Sequence, residues 1–276
     1  PCLRRLAWAE QVVVVDSQSA DNTAALAEQL GAQVYQFHYS PHGWPKKKNW
    51  ALHNVDWRNP WVLILDADEH MTPHLAREIE LIVSGRYRPR RAGCGDGYWL
   101  NRRFIFMDRW IRGCGYYPSY NVRLFKHAVG RYERIGELGD TESGDNEIHE
   151  HVILKSGQPG YLENDFLHFA YPDLTTWIEK HNRYSSWEAH AMLEGNQGLV
   201  HATPFGSPIE RRRWMKRIAR RLPMRPTLRF FYSYVLKRGF ADGYAGYVMS
   251  SLLAWYERIS IAKFKELKLK RRRRGG

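Results

Sequence analysis

Cysteine is scarce. The chain has three in 276 residues, Cys2, Cys94 and Cys114, and no C-x-x-C pair. This composition excludes a disulfide scaffold and a zinc ribbon and fits a reducing compartment. Long apolar runs are also missing. A membrane-spanning helix needs roughly 18 uncharged apolar residues, and the nearest approach, 243–256, is shorter and carries two glycines and two serines. The first residues do not read as a signal peptide, and a start at Pro1 instead of Met leads us to expect sequence missing upstream. Acidic residues are depleted at one end: 210–276 hold 4 Asp+Glu against 20 Lys+Arg, whereas 1–209 hold 25 against 22. The net charge of +13 therefore belongs to the last quarter of the chain. The rest is slightly acidic, and with 43% hydrophobic and 14% aromatic residues wholesale disorder is excluded.

The first ninety residues alternate between two periodicities. Residues 12–16 (VVVVD) form a β-branched run suited to a strand buried on both faces. Asp21 and Thr23 can cap a helix to Leu30, with Gly31 as its stop. A strand over 33–37, a helix over 46–55, a strand over 61–65 and a helix over 73–83 opened by Pro73 follow. Strand and helix in alternation predict an α/β fold: a Rossmann-like, mostly parallel sheet with helices on both faces. Beyond the Arg/Gly/Pro-rich stretch 85–97, strands are expected at 98–106, 121–125 and 148–154, and a helix at 173–193. The expected division is a domain over 1–194, a glycine- and proline-containing linker over 195–209, and basic amphipathic helices over 210–276, broken near Pro223/Pro226 and Gly239/Gly243.

Three groups of residues carry chemistry. Asp66-Ala67-Asp68 follows an apolar strand, and open α/β sheets bind ligands at the carboxyl ends of their strands. Two carboxylates one residue apart suit a hard divalent cation, Mg²⁺ or Mn²⁺, that also holds a diphosphate. Helix capping is the alternative, made less comfortable by Glu69. Asp16, with Ser17 after it, ends the earlier strand, where a carboxylate can accept hydrogen bonds from a nucleoside; a turn is the alternative. Lys46, Lys47 and Lys48 open a helix, where cations oppose the helix dipole unless an anion such as a diphosphate compensates them. A solvated helix start is the competing reading.

Together the runs VVVVDSQSADNT (12–23), PKKKNWAL (45–52) and WVLILDADEHMTPHLAREI (61–79) resemble the inverting family 2 glycosyltransferases of GT-A fold, closest to the bacterial envelope-polysaccharide and lipopolysaccharide-core branch. The resemblance covers about residues 1–190. It implies that Asp16 contacts the nucleotide of a nucleotide-sugar donor, that Asp66 and Asp68 hold Mg²⁺ or Mn²⁺ with its diphosphate, and that Lys46 and Lys48 contact the nucleotide or the diphosphate. In this family a strand precedes the stretch with which the chain opens, so a gap between two buried strands is expected. By the same resemblance Glu150 is the general base. His149 is a catalytic candidate beside it and His149 or His151 touches the metal or diphosphate, while Asp145 and Glu147 are alternative bases and a polar strand edge is the bland reading. Trp110, Arg112, Tyr116 and Arg123 match the acceptor-side region, His181 is a further acceptor contact, and His168 reads as a core histidine.

The expected reaction is sugar transfer to a lipid-linked or envelope-glycan hydroxyl. A sugar-phosphate nucleotidyltransferase and a non-catalytic basic binding module are the alternatives. The tail interleaves Arg and Lys with Trp214, Phe230, Phe231, Tyr232 and Tyr234, which suits an anionic bilayer surface better than nucleic acid. A peripheral enzyme on the cytoplasmic face of a bacterial plasma membrane is therefore expected.

Overall fold

The computed structural model describes residues 2–38, 47–132, 152–193 and 224–274. The β-branched run becomes β1 (Val13–Asp16), which leads through α1 (Thr23–Gln29) to β2 (Gln33–Gln36). The two strands pair in parallel, Val13 opposite Gln33 and Asp16 opposite Gln36. The Thr23 N–H donates to Asp21 Oδ1 at the start of α1. Gly31, with φ of 83°, turns the chain after it in the left-handed region that glycine tolerates best.

Helix α2 (Lys47–Asn54), β3 (Trp61–Leu63), β4 (Glu69–His70) and α3 (Pro73–Val83) follow. Pro73 occupies the first turn of α3, and Thr72 Oγ1 accepts from the Leu75 N–H while donating to the Asp165 carbonyl. The remaining strands are β5 (Gly97–Phe106), β6 (Arg109–Trp110), β7 (Tyr120–Lys126), β8 (Gly130–Tyr132), β9 (Val152–Leu154) and β10 (Gly160–His168). The larger sheet has the order β3-β7-β5-β10-β4, with β6 attached to β5. In it β3/β7, β7/β5 and β10/β4 run antiparallel.

Strands β1 and β3 share no ladder among the described residues. The segments before them are tied by Gln11, whose Nε2 donates to the Asp56 carbonyl and whose Oε1 accepts from the Arg58 N–H, both at 3.0 Å.

Helices cover both faces of the larger sheet, because both faces of its strands are apolar. On one side Leu75, Ile79 and Ile82 of α3 pack on Tyr98, Leu100, Leu124, Leu162 and Phe166. On the other, Leu52 of α2 joins Val62, Val122, Phe125, Tyr132, Val152 and Leu154. Strand β10 is a strand that periodicity does not reveal, since Glu163, Asn164 and Asp165 interrupt it. Tertiary partners satisfy those groups. The buried Glu78 carboxylate accepts the Glu163 and Asn164 N–H groups, and Asp165 accepts from Asn101 Nδ2 and Arg103 Nε.

The chain divides into two units, residues 1–103 with 118–170, and residues 104–117 with 171–276. The second holds β6, α4 (Leu174–Leu193), α5 (Arg225–Phe231), a π-helical turn (Tyr232–Leu236), a 3₁₀ turn (Gly239–Asp242) and α6 (Gly243–Arg274). The compact units divide near 170, inside the stretch 1–194 that the sequence assigns to one domain. Helix α4 belongs with the C-terminal helices because its partners are there: Lys263 Nζ donates to the carbonyl and Oδ1 of Asn182 and to Ser186 Oγ, and Trp177 lies 6.3 Å from Trp255.

Helix α5 has Pro226 in its first turn and the break before α6 falls at Gly239 and Gly243, with Met224, Arg238 and Gly243 at positive φ. Within this unit the buried Asp242 carboxylate accepts the amides of Arg112 and Gly113 at 3.1 and 2.6 Å. Gly113 is required there, since a Cβ would lie 2.6 Å from the Arg238 carbonyl oxygen.

Candidate active site

After the apolar β3 the chain turns sharply, and the Glu69 N–H donates to the Asp66 carbonyl at 2.9 Å. This turn folds Glu69 beneath its own loop. Glu69 is fully buried, and its carboxylate accepts the Asp66 N–H at 2.9 Å and Arg123 Nη2 at 2.6 Å. The same nitrogen lies 2.7 Å from Asp66 Oδ2, while Lys48 Nζ approaches Asp66 Oδ1 at 3.1 Å. Two carboxylates and two cations thus close on one another at the end of a strand. Burial pushes the Asp66 carboxyl up, but Arg123 and Lys48 outweigh it and hold it far below the usual range. Burial raises the Glu69 carboxyl against the pull of Arg123. Desolvation opposes the Arg123 charge, and the two carboxylates more than compensate.

Arg123 reaches this cluster through an irregularity in β7. Tyr98 of β5 pairs with Leu124 and Trp99 with Val122, so Arg123 is the extra residue of a bulge. Bulges re-aim the side chain they add. Here the carbonyl of Arg123 still accepts the Ile64 N–H, while its guanidinium is buried against the acidic turn.

Asp68 has a different neighbour. The β4/β10 ladder sets His168 opposite Glu69, and the Phe169 N–H donates to the Asp68 carbonyl at 2.9 Å. His168 Nε2 therefore comes within 3.5 Å of Asp68 Oδ2. Burial raises the Asp68 carboxyl, and the hydrogen bond and charge of His168 outweigh it, for a net lowering.

Two ligands bound side by side on one octahedral cation at about 2.1 Å lie roughly 3 Å apart, so a carboxylate oxygen and an imidazole nitrogen at this spacing fit Mg²⁺ or Mn²⁺ as a partial donor set. Among the described residues no cluster of three or more His, Cys, Asp or Glu forms a metal site; a cation here would complete its shell with water or phosphate oxygens. Asp66, already engaged by two protein cations, is less suited to the metal role the sequence suggested for it.

Asp16 is buried at the end of β1. Its carboxylate accepts from Ser19 Oγ at 2.5 Å and from the Ser19 N–H at 3.0 Å, and the Ser19 hydroxyl holds its pKa down. Ser17 beside it is exposed. Lys46, His149, Glu150 and His151 lie outside the described residues, as do the alternative bases Asp145 and Glu147.

Residues 3–133 match the sequence profile of glycosyl transferase family 2. They form a family 2 glycosyltransferase domain. Over 263 residues the chain is 25% identical to an uncharacterized glycosyltransferase of Rickettsia felis, covering 95% of this chain and 82% of that one. Over 220 residues it is 27% identical to the lipopolysaccharide core biosynthesis glycosyltransferase LpsC of Rhizobium meliloti, covering 75% and 72%. The family implies the GT-A fold, and the parallel β1/β2 pair and the acidic turn after β3 both fall within the matched residues.

The structure redistributes the acceptor-side candidates of the glycosyltransferase. Arg123 is part of the acidic cluster in the first unit. Trp110, Arg112 and Tyr116 lie in the second unit, where the Arg112 guanidinium sits 4.2 Å over the Trp110 ring and Tyr116 stacks on Phe104 at 4.4 Å.

His181 is held otherwise than an acceptor contact would be. It stacks on Trp177 at 3.5 Å, its Nδ1–H donates to the Trp177 carbonyl at 2.8 Å, and Tyr171, Tyr184 and Tyr256 surround it. Burial lowers its pKa to about 4. An unfolded histidine titrates near 6.5, so between these values the unfolded chain binds the extra proton. Stability from this site is therefore complete above pH 6.5 and is lost as pH falls toward 4. Urea titrations of His181→Phe are expected to show about 2 kcal/mol less acid destabilisation over this window than wild type. Parallel pH profiles would place the proton elsewhere.

Proposed function

We propose that this chain transfers a sugar, with inversion, from a nucleotide-sugar donor to a hydroxyl of a lipid-linked or envelope-glycan acceptor at the inner face of a bacterial plasma membrane. The observation that carries this reading is the juxtaposition of Asp66, Asp68, Glu69, Lys48, Arg123 and His168 at the carboxyl end of β3. Similarity to a lipopolysaccharide core glycosyltransferase supports the acceptor class.

In this reading Asp16 and its loop, with Ser17, receive the nucleoside. Lys48 and Arg123 set positive charge beside the diphosphate, and buried Glu69 fixes the Arg123 guanidinium so that little reorganisation accompanies charge development. Asp68 and His168 hold Mg²⁺ or Mn²⁺, whose Lewis acidity would favour departure of the diphosphate. His151, the other histidine candidate, lies outside the described residues. Glu150 takes the proton of the acceptor hydroxyl, with His149 beside it in sequence. The hydroxyl oxygen bonds to the anomeric carbon as the carbon–oxygen bond to the diphosphate breaks, and a single displacement inverts the centre. Trp110, Arg112 and Tyr116 serve the acceptor.

The test is a panel of UDP-, GDP-, ADP- and dTDP-sugars, with nucleoside diphosphate release and donor binding measured before and after chelation. The expected result is release from at least one donor that falls with chelator and returns with Mn²⁺ or Mg²⁺. Absence of both binding and release across the panel would overturn the reading.

A further inference from the structure

Among the described residues the basic tail presents two surfaces of different character. Helix α5 and its π-helical turn bury Ser233 and direct Phe230 and Tyr234 onto Tyr247 of α6, at 6.0 Å each. Their other face is open. Leu228, Phe231, Tyr232, Val235 and Leu236 are 42–73% exposed, and their spacing of three and four residues makes one stripe along the helix. Phe240, 51% exposed, follows in the next turn. Arg229 and Lys237 flank the stripe, each over the Tyr232 ring at 5.8 and 5.5 Å. Between residues 224 and 247 the one acidic residue is Asp242, and it is buried. The arginine run 271–274 stands at the opposite end of α6, about 40 Å away along the helix axis at 1.5 Å per residue.

We propose that the stripe from Leu228 to Leu236 is the element that enters the interface of an anionic bilayer, with Arg229, Lys237 and Arg238 on lipid phosphates. The inference rests on, and deepens, the proposed attachment of this chain to a membrane. An amphipathic helix with aromatic and branched side chains on one face and cations at its margins seats at the boundary of headgroup and acyl chain. A polybasic run binds the same surface by charge alone and is released by salt. The stripe therefore supplies the salt-resistant part of binding and the 271–274 run a salt-sensitive part.

Flotation with phosphatidylglycerol–phosphatidylethanolamine vesicles, at low and high salt, separates these contributions. Val235→Asp/Leu236→Asp changes two exposed positions, so an unaltered melting curve verifies the fold. It is expected to lower vesicle partition at least about tenfold at high salt. The serine variant of 271–274 is expected to lose binding chiefly at low salt. If wild type does not float, membrane attachment falls and the stripe assignment with it. If Val235→Asp/Leu236→Asp floats like wild type while the arginine variant does not, attachment stands and the stripe assignment falls. A wild-type dimer that this double variant renders monomeric, with flotation unchanged, would make the stripe a protein interface instead.

Discussion

Asp68→Asn is expected to cut cation-dependent sugar transfer on the order of a hundredfold or more while leaving the melting temperature near wild type. The asparagine keeps the size of the side chain and removes its charge, and hard divalent cations need anionic oxygen. Asp68 is suited to this test because its side chain is 37% exposed and its neighbour His168 Nε2 lies 3.5 Å away. A loss of activity from it therefore reports on the cation and the diphosphate, with little contribution from packing. Removing a ligand weakens cation affinity more than it alters the bound complex, so the Mn²⁺ midpoint should rise and excess Mn²⁺ should restore part of the activity. His168→Asn is expected to shift the midpoint in the same direction by a smaller factor, since it removes a neutral donor. Transfer by Asp68→Asn with an unshifted Mn²⁺ midpoint would remove the pair from the cation site.

The contrast with Asp66 shows what the sequence could and could not disclose. That two carboxylates end an apolar strand is legible from WVLILDAD alone, as are the parallel β1/β2 pair and the helix opened by Pro73, because each is a local matter of branching, period and capping. The division of labour between Asp66 and Asp68 is not local. It depends on a bulge that turns Arg123 toward Asp66 and on a ladder that brings His168 opposite Glu69 from about a hundred residues away. Nothing in the alternation of β7 marks Arg123 as the extra residue, and the family resemblance of its segment suggested an acceptor role. His168, at the end of a strand crossed by three polar residues, gave only the weak signal of a histidine beside aromatics. The affiliation of α4 was hidden for a similar reason: it is set by contacts with α6, while the glycines and prolines after it suggested a later join.

The largest effect on stability is expected at Arg123. Arg123→Leu leaves Glu69, 0% exposed, without its buried counter-charge, and breaking a buried pair in this way costs about 3–5 kcal/mol. The group left behind decides how that loss behaves. Burial already raises the Glu69 pKa in the intact protein, and removing the guanidinium raises it further. A carboxyl whose folded pKa lies above its unfolded value contributes stability below the unfolded pKa and loses it as pH rises through the folded one. The deficit of Arg123→Leu should therefore be larger at pH 7 than at pH 5. Glu69→Gln supplies the neutral form outright, keeping an acceptor for the Asp66 N–H. Combined with Arg123→Leu it should recover about 2 kcal/mol of the loss at pH 7 and leave the remaining deficit relative to wild type almost independent of pH over this range. Urea unfolding of the two single variants and the double variant at both pH values measures that coupling. A double variant as unstable as Arg123→Leu alone would mean that Arg123 holds the bulge by packing along β7, and that the charge of Glu69 is balanced by another group.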